Sequence, residues 1–530
     1  MPFVPPRPTA ALATALALIT VAIAAAGDSS AGTAVQQRPN VIVVMTDDQS
    51  VGELSERTMP ATMRRVAGEG AEFTNSFVSS PLCCPSRAGY ITGQYPHNNG
   101  VYDNEPGYAA LNDKNSTLNT WMSAAGYRTG HVGRFLLAYN RDALAGAGYD
   151  TKSGFAAPPG VDDWFGYVGS ATHYYGATFS DNGTPLELGD QTYTTRETNR
   201  AARDFVAQSA VDQRPFFLTY AANAPHFSAD TVGGYCGTGN LPIPEPAEAR
   251  RWEDEPLPKP PSFGEPKIGD KPVWVRERPK LKPSRLRELK SGYRCALGAL
   301  ATVDRGINSL IKQLQRSGEL ENTAIFFTSD NGYFFGEHRL VLSKVYPYEE
   351  GIRVPLLARV PRAVLGLSAG APRPDRIDQL VNNLDLTATV LDLADATPCN
   401  SGGECRTLDG HSLVPLLRGD RPDWSRQRAL LIQLGGKRAC DGTQALDLGL
   451  NNFYDAIRTR RHLYVELEHV NPDTGLCERP EYELYDLRED PFQLRNQAVD
   501  PATGAVPSTL QLGLAARLAA LRGCSGAGCD

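Results

Sequence analysis

Runs of apolar, β-branched residues punctuate this chain and end in polar pairs. Asn40–Thr46 (NVIVVMT) is apolar almost throughout, stops at Asp47-Asp48, and reads as a strand buried on both faces. Residues 215–221 (PFFLTYA), Thr323–Ser329 (TAIFFTS, followed by Asp330-Asn331-Gly332) and 354–360 have the same character. Helical signals lie between them. Thr58 as a cap with Pro60 in the first turn predicts a helix over 58–68, and residues 85–92 predict the start of another. Leu300, Val303, Ile307, Leu310, Ile311 and Leu314 recur at helical spacing until Gly318. Strands alternating with helices predict an α/β fold: a mostly parallel central sheet flanked by helices.

Two stretches break this rhythm. Residues 236–283 are dominated by proline and charge, which predicts a long surface excursion. From about Pro398 the pattern turns to short strands, including 428–433 and 463–467, which predicts a smaller C-terminal α+β subdomain. The expected organisation is therefore a leader over 1–34, a main domain over 35–397 and a subdomain over 398–530.

Composition adds the compartment. Apolar residues make up 41% of the 530 residues and charged residues 21%, which is enough for a large core and excludes wholesale disorder. The net charge of −7 argues against a polybasic nucleic-acid surface, although a local cationic pocket is compatible with it. Arg7 followed by an apolar run over 10–26 and then small residues reads as a secretory signal peptide, too short for a membrane span, so the expected location is extracytoplasmic with no stable membrane insertion. Besides the adjacent Cys83 and Cys84, eight cysteines remain, an even number that reads as disulfides in an exported chain. Proximity pairs Cys399 with Cys405 and Cys524 with Cys529. The remaining four, taken in chain order, give Cys236–Cys295 and Cys440–Cys477.

The chemistry concentrates at the strand ends. Asp47-Asp48 and Asp330-Asn331 terminate two apolar strands, and the carboxyl ends of parallel strands are where α/β sheets gather ligands. Four oxygen side chains without an accompanying histidine or free cysteine suit a hard cation such as Ca²⁺ better than zinc. The segment PLCCPSRAGYITGQYPHNNGV carries Cys83-Cys84-Pro85-Ser86-Arg87, a C-x-P-x-R motif.

That motif, with RPNVIVVMTDDQ, PFFLTYAANAPH, FFTSDNGYFFGEHRLVLSKVYPYEEGIRVP, LDGHSLVPLLRG and ELYDLREDP, resembles the sulfatase family over nearly the whole mature chain. The CCPSR form and the SKVYPYEEGIRVP segment are most similar to N-acetylglucosamine-6-sulfatases and the extracellular endosulfatases of heparan sulfate. The resemblance implies an alkaline-phosphatase-like fold, a bound Ca²⁺ and hydrolysis of sulfate esters on a sulfated small molecule or glycan. It also implies that a formylglycine-generating enzyme oxidises Cys83 to formylglycine during export. The hydrate of that residue has two hydroxyls on one carbon: one can attack sulfur, and the other can expel sulfate by re-forming the aldehyde, where a serine would remain a stable ester.

By the same resemblance Asp47, Asp48, Cys83, Asp330 and Asn331 hold the metal. Arg87 lies one helical turn beyond Cys83, and the helix start there offers N–H donors to an anion. Lys344 and His226 match sulfate-binding and proton-transfer positions, and the near-neutral ordinary pKa of histidine suits His226 to the role of acid or base. His338 reads equally as a neighbour of the site or as a structural residue. One departure stands out: where many sulfatases carry G-K-x-H, this chain has Gly133-Arg134-Phe135-Leu136, so Arg134 keeps a cation that can orient sulfate but the histidine is absent. Two other readings remain: a phosphomonoester, phosphodiester or phosphonate hydrolase on the same scaffold, and a non-catalytic protein that binds sulfated glycans. Trp252 and Trp274 of the Pro-rich excursion either contact sugar units or pack onto the domain.

Overall fold

The computed structural model describes residues 38–139, 155–169, 172–212, 214–228, 230, 236, 240–435, 452–469 and 479–530. The expected leader, and Cys440 and Cys477, lie outside the described residues. Residues 38–530 form one compact unit.

Ten described strands make one mixed sheet, in the order Arg376–Ile377, Ala71–Phe73, Leu356–Arg359, Thr323–Ser329, Asn40–Thr46, Phe216–Ala221, Arg128–Gly133, Asp163–Tyr167, Thr178–Asp181 and Thr184–Glu187. The centre is parallel: Asn40–Thr46 pairs with Phe216–Ala221 on one side and Thr323–Ser329 on the other, while Leu356–Arg359 joins antiparallel. The strand alternation divides the core in two. Val41, Val43 and Met45 face one apolar layer with Ala88 and Trp121, and Ile42 and Val44 face another built on the long helix Pro283–Ser317. A sheet covered on both faces explains why its central strands read as continuous apolar runs. This is the expected α/β architecture.

Two helix boundaries differ from expectation. The long helix begins at Pro283, well before the periodic stretch from Leu300: its first residues face solvent, and Leu289, Tyr293, Ala296 and Leu297 then form a buried apolar stripe that the reading from Leu300 leaves out. The helix after Thr58 is one α-turn, Pro60–Thr62, continued by a π-turn, Met63–Ala67, with Met59 at the cap position. Thr58 does not cap it: its hydroxyl donates to the Glu53 carbonyl at 2.6 Å. The free N–H groups of Ala61 and Thr62 are instead bound at 3.1 and 2.7 Å by the carboxylate of Asp304 on the long helix.

The C-terminal part holds a four-stranded antiparallel sheet, Ala429–Leu434, Asn452–Thr459, His462–His469 and Glu481–Asp486. One face packs on Phe77, Leu82, Tyr346 and Tyr348, and the other takes the helix Thr509–Leu521. Disulfides Cys236–Cys295, Cys399–Cys405 and Cys524–Cys529 are present as expected. Trp252 and Trp274 are both buried, Trp274 against Tyr346, so they pack onto the domain and present no ring to a ligand. Among the described residues no helix is long and apolar enough to cross a membrane.

Candidate active site

The site is built at the carboxyl edge of the central sheet. Asp47 and Asp48 follow one strand, and Asp330 and Asn331 follow its neighbour. Their backbones are stitched together by Asp330 N–H to the Thr46 carbonyl at 3.1 Å. Asp48 has a left-handed backbone (φ 65°), a conformation aspartate tolerates better than most residues.

Cys83 enters as the first residue of the helix Cys83–Thr92, two residues earlier than 85–92 suggests. Pro85 is accommodated in its first turn, and Gly93 ends it with φ 64°. The side chain of Asn383 anchors this helix, accepting from Ser79 N–H at 2.8 Å and donating to the Ser86 carbonyl at 2.8 Å. The N–H of Cys84 is already taken by Asn104 Oδ1 at 2.9 Å, so this donor at the helix start is not free for an anion.

The side chains converge on Cys83, which is 1% exposed. Lys344 Nζ lies 2.9 Å from its Sγ and donates to Asp48 Oδ1 at 2.6 Å. Asp47 Oδ1 and Asp48 Oδ1 are 3.6 and 4.0 Å from Sγ. Arg87 ties the cluster together: Nε donates to Asp330 Oδ2 at 2.8 Å, Nη2 to Asp47 Oδ2 at 3.1 Å and Nη1 to the Arg134 carbonyl at 2.9 Å. Arg134 Nη1 donates to Asp47 Oδ2 at 2.5 Å. Thus every residue expected at the site is brought together, with the buried Arg87 and Arg134 and the partly exposed Lys344 facing three buried aspartates.

Electrostatics follows from this arrangement. Burial works against the Asp47 carboxylate, but Arg134, His226 and Arg87 outweigh it and hold its pKa below the usual value. Burial pushes the Cys83 thiol well up, opposed only in part by Lys344, so the cysteine is a neutral thiol. Burial also works against the charge of Lys344, yet Asp48 and the neighbouring groups raise its pKa, so it stays protonated.

The ligand atoms of Asp47, Asp48, Cys83 and His226 all lie within 4.8 Å of one another, a group able to hold a metal ion. This differs from the expected set in including His226, while the Asp330 carboxylate is turned to Arg87 and accepts the Asp48 N–H at 3.1 Å. The oxygen donors fit a hard cation on a further ground. Asp48 Oδ2 and Asn331 Oδ1 are buried acceptors with no hydrogen-bond donor among the described residues. His226 donates Nδ1–H to the Phe227 carbonyl at 2.9 Å, which leaves the Nε2 lone pair directed at the site, 3.6 Å from Asp48 Oδ2.

Some supporting residues carried no legible signal. His131 donates Nε2–H to the Arg134 carbonyl at 3.1 Å, the same oxygen that Arg87 binds. Asn104 and Asn383 reach in from elements distant in sequence. Leu136, at the position of the absent histidine, is buried in the core. His338 lies outside the cluster: it is fully buried, donates to Glu265 at 2.7 Å and stacks on Tyr348 at 4.0 Å, so its role is structural.

A strand-end aspartate cluster around a C-x-P-x-R cysteine on an alkaline-phosphatase-like sheet defines a class of ester hydrolases, and the sulfatase family profile matches residues 39–396. The chain belongs to the sulfatase family and is a sulfuric ester hydrolase. Among its relatives, the N-acetylglucosamine-6-sulfatase of Homo sapiens is 29% identical over 523 residues, covering 93% of this chain and 86% of that one. The extracellular sulfatase SULF-1 homolog of Drosophila melanogaster is 30% identical over 76% of this chain, which spans only 34% of that longer protein. Among solved structures, one of a protein in complex with its substrate D-glucosamine-2-N,6-O-disulfate shares the fold with a TM-score of 0.66 at 23% identity, over 91% of this chain and 97% of that chain. The phosphonate monoester hydrolase of Agrobacterium radiobacter shares it with a TM-score of 0.61 at 19% identity, over 92% and 95%.

Proposed function

We propose that this enzyme is an exported, formylglycine- and Ca²⁺-dependent sulfatase that acts on a sulfated carbohydrate bearing a 6-O-sulfated glucosamine unit. The observation that carries the reading is the buried cluster in which Cys83 meets Lys344, Asp47 and Asp48. A thiol is a weak hydrogen-bond partner for such a set, and an oxygen-bearing residue suits it better. The extensive match to N-acetylglucosamine-6-sulfatases supports the choice of substrate.

Formylglycine, made from Cys83 by a formylglycine-generating enzyme, supplies as its hydrate a hydroxyl nucleophile that a thiol cannot replace. Asp47, Asp48, Asp330 and Asn331 would hold Ca²⁺, which would supply Lewis-acid stabilisation of charge. The protein's own groups do the rest. Lys344, protonated and beside Cys83, binds a sulfate oxygen and stabilises charge that develops on it. Arg134 adds a second cation at the sulfate pocket. Arg87 neutralises Asp47 and Asp330 and fixes their direction, so the oxygen cage is rigid before substrate arrives. His226 offers the Nε2 lone pair as a proton acceptor, its tautomer set by the Phe227 carbonyl; burial lowers its pKa from 6.5 to about 4, so the neutral ring acts as a base at this atom.

Three measurements test the reading. A peptide mass spectrum across residues 83–87 of native-source protein should show the formylglycine mass. Cys83→Ala should abolish turnover with the fold intact, whereas Cys84→Ala should leave most activity; the reverse pattern overturns the assignment. Exhaustive chelation should remove both metal and activity. For the substrate, glucosamine 6-sulfate should be hydrolysed faster than other sulfated sugars and an activated aryl sulfate. The fold shared with a phosphonate monoester hydrolase makes phosphorus esters the necessary comparison, and faster turnover of a phosphonate or phosphate ester would replace the sulfatase reading of this site.

A further inference from the structure

A cleft of about 980 Å³ opens at the same carboxyl edge of the sheet as the Cys83 site, at the top of the size range of small-molecule sites. Its walls come from segments that follow or precede the strand ends: Ser50–Gly52 after the Asp47-Asp48 pair, Tyr333 and Phe335 after Asn331, and Arg353 before an antiparallel strand. The Pro-rich excursion adds Lys259, and the C-terminal sheet and the loop after it add Arg458, Arg460, Arg461, Arg488 and Phe492. Tyr333 and Phe335 also line a small cavity against Asp48, so these two residues border both the cleft and the edge of the site.

The charge of this cleft is lopsided. Six cationic side chains line it, against three carboxyls, Glu337, Glu349 and Glu350. Glu349 is neutralised by Arg458 at 2.7 Å. Burial raises the pKa of both Glu337 and Glu350, which favours their uncharged forms. Among the described residues no carboxylate pairs with Lys259, Arg353 or Arg488; Arg353 donates to the neutral carbonyl of Thr74. Arg460 pairs with Asp378 at the surface, where such a pair is weak and open to exchange, whereas Arg461 is held by Asp486 through both Nε and Nη2. Aromatic surface lies beside the cations: Phe492 is 37% exposed at the rim, and Tyr333 is half-buried. Cations alternating with aromatic faces match an anionic pyranose, whose sulfate or carboxylate groups take the guanidinium forks while its C–H face lies on a ring.

We propose that this cleft is a second carbohydrate subsite, which seats further anionic sugar units of the same glycan whose sulfate ester lies at Cys83. The proposal rests on the carbohydrate reading above and deepens it: the preferred substrate is a polyanionic oligosaccharide, and a monosaccharide sulfate uses only part of the binding surface. Binding energy from the distal units adds to kcat/KM without touching the reacting atoms.

The test compares kcat/KM for glucosamine 6-sulfate with that for a longer sulfated oligosaccharide ending in the same unit. The native enzyme should prefer the oligosaccharide. Arg488→Glu and Lys259→Glu, both at exposed positions, should each cut the oligosaccharide value by about tenfold or more while leaving the monosaccharide value unchanged. Arg421→Glu, an exposed site outside the cleft with the same change of net charge, should leave both values unchanged. The subsite is refuted if the native enzyme shows no oligosaccharide preference, or if the cleft variants leave that preference intact or lower both substrates equally, in each case with monosaccharide turnover showing that the carbohydrate reading survives. If no sugar sulfate is hydrolysed and only an aryl sulfate is, the carbohydrate reading fails and the subsite fails with it.

Discussion

Lys344 illustrates how one side chain can serve two needs. It neutralises Asp48 at 2.6 Å in a site 14% exposed at the lysine side chain, and it presents its remaining donors to the space beside Cys83. Lys344→Met removes those donors without adding a polar group. The expected result is a fall in kcat of roughly 10²–10³-fold, the scale found for removing one preorganised donor from a transition state. Steady-state kinetics on metal-loaded enzyme measures it, and a change confined to KM would show that the lysine binds ground state and transition state alike. At this scale Cys83, Arg87 and the two polar pairs were legible because a short motif and the strand-end positions name them. His131, Asn104 and Asn383 were not, because each acts by holding a backbone group of another site segment, which no motif marks.

Whole elements are held by contacts between segments distant in sequence. The turn at Pro60 begins without a local cap, and Asp304 supplies the acceptors from the long helix, binding Ala61 N–H, Thr62 N–H and the Thr62 hydroxyl. Asp304→Ala should therefore destabilise the protein by about 2 kcal/mol in denaturant unfolding, as the loss of a good cap does, with kcat unchanged at permissive temperature. The Cys236–Cys295 bridge joins the excursion to the same helix across 59 residues. In the chain-entropy account a loop of this length contributes about 4 kcal/mol, so replacing both cysteines by serine should lower unfolding stability by up to that amount, read by the same unfolding measurement. The helical periodicity from Leu300 to Leu314 was plain in the sequence, but the helix's start was not: its first residues face water and carry no apolar rhythm, and the buried stripe Leu289, Tyr293 and Leu297 covers the excursion instead of the sheet.

Across the molecule, the C-terminal sheet meets the site-bearing loop through a buried polar network. Glu483 accepts from Tyr348 and Tyr485 at 2.8 and 2.5 Å, and Lys271 of the Pro-rich excursion donates to Tyr485 at 3.1 Å. Burial raises the Glu483 carboxyl from its usual 4.5 to about 7 despite those donors. Below about pH 4.5 the folded and unfolded chains both hold this proton. Between about 4.5 and 7 only the folded chain holds it, so this group makes stability fall as pH rises through that window and adds no further slope above it. Glu483→Gln should flatten this part of the profile and raise stability near neutral pH relative to the native protein. Unfolding measured across pH 4–8 would reveal the opposite slope if the carboxyl were instead held ionised.

By itself the sequence determined the class of fold, the strand ends that carry the chemistry and the identity of the central cysteine. These depend on local patterns: continuous apolar runs for strands covered on both faces, and acidic pairs directly after them. Only the tertiary structure decided which partners those groups meet. It set Arg87 between Asp47 and Asp330, turned His226 Nε2 toward Asp48, buried Trp252 and Trp274, and gathered arginines from the C-terminal sheet beside the Ser50–Gly52 turn. Each of those outcomes depends on packing between segments well separated in the chain, and no periodicity within one segment encodes the face that another will cover.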